Sequence, residues 1–291
     1  MNARPRPPEV LKSTGQRAPF SEDKLYKSIR AAGASKDLAQ RIVGQVLSHA
    51  RPGIHTTELR RLTSTYLRAE SPRTATRYEL RNAVLDLGPT GYWFENLIGA
   101  LHEAQGYRVE LGKILEGRCI SHEVDVIADR GDERVLVECK FRNGPGQRCD
   151  SKVALYVRAR ALDLAENRHA IPYTTFRLVA NTKFTSEAIR YARCVGLDLL
   201  GWDHPTGRGL QCLIEEYRLH PLTSLATLTD PEKRKLLSGG IILCRELRDS
   251  PPLLDGLGLD EERIAMVHDE IATVIDDAEP SGEGDDADPS A

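Results

Sequence analysis

The chain has 291 residues, of which 40% are hydrophobic and 29% charged, with a net charge of -3; this is ordinary globular composition, with room for two or three domains. No run of about 18 apolar residues occurs, which excludes a helical membrane span, and the leading Arg4 and Arg6 have no apolar stretch behind them, which excludes a secretory signal and leaves the cytoplasm as the expected location. The six cysteines (Cys119, Cys139, Cys149, Cys194, Cys212 and Cys244) form no Cys-x-x-Cys pair and stand at no zinc-knuckle distance from a histidine, which excludes an iron–sulfur centre and points to reduced, buried thiols.

The charge is graded along the chain. Residues 1–90 carry 16 Lys and Arg against 8 Asp and Glu, residues 91–217 carry 17 against 18, and residues 218–291 carry 7 against 17. A basic first third suits a phosphate-bearing partner, whose counterions it releases, although a solvated helix surface has the same composition.

Residues 1–8 read as a disordered lead. Val10-Leu11-Lys12, Gly15 and the stretch ending at Phe20 predict a small hairpin opening a first domain over 9–90. Ser21 caps a predicted helix with Leu25, Ile29 and Ala32, and Gly33 breaks it. A second helix over about 36–50 carries Leu38, Ile42, Val43, Val46 and Leu47 on one face; Thr56 caps a third with Leu59, Leu62 and Leu67; a fourth over about 72–87 stops at Gly88-Pro89. The pattern then changes. A helix over 93–105 ends at Gly106, and strand-like runs follow at Tyr107–Leu111, Ser121–Ala128 and Arg134–Cys139. A long helix through Val153, Leu155, Val157, Ala161 and Leu164, a strand Phe176–Ala180, a helix Ser186–Val195 and a strand Leu197–Gly201 complete the order αβββαβαβ. That order predicts an α/β domain over 91–208, a mixed sheet flanked by helices. Residues 209–275 read as short helices, one opened by Thr229-Asp230-Pro231-Glu232, with a turn at Gly239-Gly240; residues 276–291 read as an acidic disordered tail.

The sharpest chemical signal is Val124-Asp125-Val126-Ile127 followed by Val135-Leu136-Val137-Glu138-Cys139-Lys140. Charges inside apolar strands must be paired, neutralised or metal-bound, because burying them alone costs several kcal/mol. Glu138 and Lys140 stand two apart and share a strand face, and a hairpin would bring Asp125 beside them. Two carboxylates plus a backbone carbonyl, assigned to Cys139, make a hard oxygen site suited to Mg²⁺. Lys140 there would orient or deprotonate the attacking water of a phosphodiester hydrolysis. An edge-strand ion pair of Glu138 with Lys140 has the same spacing.

These motifs resemble the PD-(D/E)xK nuclease superfamily and, within it, the Mrr-like restriction endonuclease domain, over about residues 91–204. The helix carrying Phe94-Glu95-Asn96-Leu97 and ending at Gly106-Tyr107 is similar as well. The resemblance implies Asp125 and Glu138 as metal ligands, Lys140 as the catalytic lysine and Glu95 as a supporting acid. The lead-in here is His122-Glu123-Val124-Asp125 and the second motif Glu-x-Lys, where restriction-type members often have Gly-Asp-x-Gly and Gln-x-Lys. His122 and Glu123 flank the set or tune it, and Lys152 opens the following helix towards phosphates or solvent.

Val10-Leu11-Lys12-Ser13-Thr14-Gly15 with Pro19-Phe20-Ser21-Glu22-Asp23-Lys24-Leu25 resembles the ATP-cone, the nucleotide-binding regulatory module of ribonucleotide reductases and of their repressor. The resemblance implies ATP or dATP as an allosteric ligand, with Lys12 and Lys24 on its phosphates and Ser13, Ser21 and Thr56 in support. No Walker loop accompanies it, so binding without hydrolysis is expected. Leu225–Leu228, Leu236–Ile241 and Leu254–Gly258 resemble a helix-hairpin-helix unit, a DNA-phosphate binder or a protein-docking cap. Together these features imply a Mg²⁺-dependent endonuclease acting on DNA, double-stranded by expectation, within a nucleotide-modulated homo-oligomer. The alternative is a non-catalytic, nucleotide-sensing DNA-binding or scaffold protein with a relict nuclease fold.

Overall fold

The structure, a computed structural model, describes residues 9–11, 15–88, 90–143, 147–167, 169 and 172–275. The lead over 1–8, the tail over 276–291 and the two hairpin residues Lys12 and Ser13 lie outside the described residues. The chain divides into two compact units, Met1–Leu80 and Arg81–Ala291.

The first unit opens with the expected hairpin. β1 (Glu9–Leu11) pairs antiparallel with β2 (Arg17–Pro19), and β3 (Ile54–His55) adds a parallel strand on the other side of β1. α1 (Glu22–Ala31) is capped by Ser21, whose Oγ accepts the Lys24 N–H at 3.2 Å. α2 (Lys36–His49) and α3 (Thr56–Glu70) follow, and α4 (Pro72–Leu85) begins in this unit and ends in the second. Their apolar faces meet in one core through Ile29, Ile42, Val46, Leu59 and Leu67, with Val10 and Phe20 from the hairpin. One expectation is corrected here. The cap of α3 is His55, not Thr56, because the two-residue strand β3 runs straight into the helix and leaves Thr56 as its first residue.

In the second unit α5 (Tyr92–Ala104) leads into β4 (Arg108–Glu116), β5 (Ser121–Arg130) and β6 (Glu133–Lys140). The short β7 (Arg148–Cys149), α6 (Ser151–Ala165), β8 (Thr175–Ala180), β9 (Lys183–Phe184), α7 (Ser186–Val195) and β10 (Asp198–Leu200) follow. The main sheet has the order β10-β8-β6-β5-β4, and β7 with β9 forms a two-stranded pair. Contacts of β5 with β4 and β6 are antiparallel, while β6–β8 and β8–β10 are parallel. This is the mixed α/β sheet that the element order implied. The α6 and α7 side of the sheet is filled by Ile127, Leu136, Leu178, Ala154, Val157, Ala161 and Ala188.

Side-chain alternation reverses within β4. A Cβ on Gly99 of α5 would touch Val109 and Leu111, so those two face α5, whereas Leu115 packs into the α6 core. Two residues of the same parity on opposite faces require a flip between them, and Gly112 supplies it with φ +58°. The β4–β5 ladder skips the position where Gly112 faces Asp125, and the β5–β6 ladder begins only at Val126↔Val137. Asp125 therefore sits where pairing has opened on both of its sides.

Beyond the sheet, α8 (Leu210–Glu216), α9 (Asp230–Ser238), α10 (Cys244–Asp249) and α11 (Glu261–Ile275) form the helical end of this unit. Thr229 precedes α9 as expected, and its N–H donates to Glu232 Oε2 at 2.7 Å. Among the described residues no helix is long and apolar enough to cross a membrane.

Candidate active site

Asp125 enters the site because β5 stops pairing with β6 at that point. Its Oδ2 instead accepts the Cys139 N–H at 2.6 Å, so the carboxylate stitches the two strands where the ladder has ended. Glu138 and Lys140 lie on one face of β6, with Lys140 Nζ 2.5 Å from Glu138 Oε1. The Cys139 side chain, on the other face by strand alternation, is buried, and burial pushes its thiol well up. Only its backbone can serve the site.

Glu95, in the first turn of α5, joins the same electrostatic neighbourhood. Its carboxyl is raised by burial first and by the charges of Glu123 and Glu138 next, against Lys140. Asp125 is pushed up to about 7, by burial first and by Glu138 second, with the Cys139 N–H opposing. The structure thus brings Glu95, Asp125, Glu138 and Lys140 together. Among the described residues no group of three or more His, Cys, Asp or Glu side chains is arranged to hold a metal ion.

Two residues that the sequence patterns did not single out complete the geometry. Arg160 of α6 donates to Glu138 Oε2 and to the Glu123 carbonyl, so one guanidinium spans β5 and β6 where they separate. Glu138 is only 2% exposed, and a carboxylate that deep needs such partners. The signal was available: Arg160 continues the apolar stripe Val153, Val157, Leu164 at helical spacing, and a cation in a stripe position demands an acid. Asn181, just past β8, binds both backbone groups of Arg142, with Oδ1 accepting its N–H at 2.8 Å and Nδ2 donating to its carbonyl at 3.1 Å. That clamp holds the chain leaving Lys140.

The flanking residues sort differently. His122 lies outside the carboxylate group, its Nε2 2.7 Å from Asp163 Oδ2 on α6. Asp163 also accepts the Cys119 N–H at 2.9 Å and the Ile120 N–H at 3.3 Å; the His122 bond first, and after it these contacts with Cys119 and Ile120, hold its carboxyl down at about 2. His122 is thus part of a bracket that fastens the β4–β5 turn to α6. Lys152 is exposed in the first turn of α6. In the first unit Lys24 is exposed, Thr56 is half-buried, and the Ser21 hydroxyl is engaged as the α1 cap.

Residues 220–275 match the family model AF1548-like, C-terminal. An uncharacterized protein of Archaeoglobus fulgidus is 36% identical over 147 residues, covering 50% of this chain and 81% of that protein. The crystal structure of AF1548, a protein of unknown function, is 32% identical with a TM-score of 0.53, covering 64% of this chain and 99% of its own. The chain belongs to the AF1548-like family. In this AF1548-like protein residues 8–83 match the ATP cone domain, which takes in the β1–β2 hairpin and most of α4. Neither relative's name states an activity.

Proposed function

We propose that this AF1548-like protein is a Mg²⁺-dependent endonuclease acting on double-stranded DNA and regulated by ATP or dATP held in its ATP-cone. The observation that carries the reading is the set of Asp125, Glu138 and Lys140 at the point where the β5–β6 ladder opens. The donors fit a hard dication. Asp125 and Glu138 with the Cys139 carbonyl are all oxygen ligands, and Asp125 and Glu95 are raised by burial first and by neighbouring carboxylate charge next, both of which a bound cation offsets. Bound there, Mg²⁺ supplies Lewis acidity at a scissile phosphate. Lys140 would orient the attacking water and offset phosphate charge, while Arg160 keeps Glu138 aimed between the strands. DNA and nucleotide as ligands imply a cytoplasmic setting, and regulation through association implies a homo-oligomer.

The pairing of Glu138 with both Lys140 and Arg160 favours a second reading, in which the cations replace the metal and the fold serves a nucleotide-sensing DNA-binding or scaffold protein. Plasmid and linear DNA incubated with Mg²⁺, with and without ATP or dATP, separates the two. Metal-dependent cleavage that disappears in Asp125→Ala, and that nucleotide changes in rate, is the expected result. Absence of cleavage on every DNA form, with ATP still bound, would establish the sensor instead.

A further inference from the structure

β4 ends the sheet order, and among the described residues no strand pairs with its outer edge. It is nine residues long, none of them buried, and Ile114 is 70% exposed on it. A long bare edge normally invites pairing unless charge or a bulge blunts it. Here both the charges and the kink suit one particular partner.

Pairing of β4 with a second β4 about a two-fold axis perpendicular to the sheet keeps each face of the sheet on its own side, so opposed residues must share a face. The flip at Gly112 decides which registers obey this. Val109 and Leu111 face α5, Leu115 faces α6, and the parity change puts Ile114 on the α5 side with Val109. Glu110 and Lys113 then share the α6 side, which agrees with their ion pair at 3.4 Å within the strand. An unkinked strand would set them on opposite faces. With the flip, the register centred between Leu111 and Gly112 opposes Glu110 to Lys113 and Val109 to Ile114, each twice. Opposite charges and matched apolar side chains directly across an antiparallel pair are stabilising, and every such pair comes in duplicate from the symmetry.

We propose that β4 is the seam of a homodimer, a second copy of this chain adding its own β4 antiparallel in the Glu110↔Lys113, Val109↔Ile114 register to make one continuous sheet. Lys113, which on a lone edge repels an incoming strand, becomes the residue that selects this one. The exposed Ile114 is covered by Val109 of the second copy. The two β5 strands come to lie about 14 Å apart, three strand spacings. The inference stands on the strand alone and holds whether or not the protein cleaves DNA.

Sedimentation of the full chain without nucleotide tests it, using Glu110→Lys and Lys113→Glu, both at exposed side chains. The wild type should sediment as a dimer. Each single variant opposes like charges at both ends of the seam and should weaken association about tenfold or more. An equimolar mixture of the two variants restores two Glu–Lys pairs between unlike chains and should return the dimer. A monomeric wild type, a dimer indifferent to both substitutions, or a mixture no more associated than its components would each overturn the seam.

Discussion

His102 lies wholly buried on α5, with Nδ1 2.8 Å from the Ile98 carbonyl and Nε2 3.2 Å from an Arg177 N–H. Arginine only donates, so Nε2 accepts and the proton sits on Nδ1, which makes the ring neutral. Burial, and after it the Arg177 charge, lowers its pKa to about 4, with the Ile98 carbonyl opposing. An unfolded chain protonates this histidine near its ordinary pKa of about 6.5. Between those values the unfolded state binds the extra proton, so stability is complete above about pH 6.5 and declines as pH falls towards 4. The full span corresponds to a loss on the order of 3 kcal/mol. Urea unfolding at pH 7 and pH 4.5 should show this loss in the wild type and a smaller one in His102→Gln, which keeps an acceptor for Arg177 without the titration. Equal losses in both proteins would assign the acid sensitivity elsewhere. At this scale Asp125, Glu138 and Lys140 were legible because each charge interrupts an apolar strand. Arg160 was harder to see, because a lone arginine on a helix reads as solvated until its stripe position is noticed. Asn181 was not legible, since its partners are backbone groups 39 positions away.

Elements were legible where local chemistry marks both ends. Ser186–Val195 has the same bounds in sequence and structure because Thr185 caps it, accepting the Ala188 N–H at 3.2 Å, and Gly196 closes it in the left-handed region. The two-residue strands β3, β7 and β9 carry too few residues for any period, and they exist only because a neighbouring strand lies in reach. The sequence reading places a strand over Tyr107–Leu111, whose apolar residues stop one position before Gly112, yet the strand continues to Glu116 with its faces exchanged. That difference locates the device that opens the ladders on Asp125. Gly112 has no close obstacle, since an added Cβ would come no nearer than 3.8 Å to Glu123 Oε1. The cost of a side chain there is purely that of a left-handed backbone, about 1–2 kcal/mol. Gly112→Ala should therefore lower unfolding free energy by about that amount, and Gly112→Asn by less, because asparagine visits this region more readily. Denaturant midpoints of the three proteins decide the matter, and an alanine variant as stable as the wild type would remove the flip from the account.

At the scale of the whole molecule, charge passes from a basic first third to an acidic last quarter. The change of apolar period after Gly106, from helix to strands, was legible because a helix face and a strand face cannot share one pattern, whereas the division between Leu80 and Arg81 falls inside α4, where the period does not change. How each unit answers a ligand follows from where the ligand binds. An ATP-cone match over 8–83 predicts that nucleotide stabilises the first unit, by about 2.7 kcal/mol at a hundredfold excess over its dissociation constant. Both tryptophans, Trp93 and Trp202, belong to the second unit. Their fluorescence follows that unit alone, whereas helical circular dichroism also follows α1 to α4. ATP should therefore move a circular dichroism transition upward and leave the tryptophan transition in place, and Lys24→Ala should shrink the shift. If the two signals move together, ATP stabilises both units at once and they unfold cooperatively. If neither moves, the first unit holds no nucleotide, and the regulatory half of the proposed function falls while the carboxylate site stands untouched.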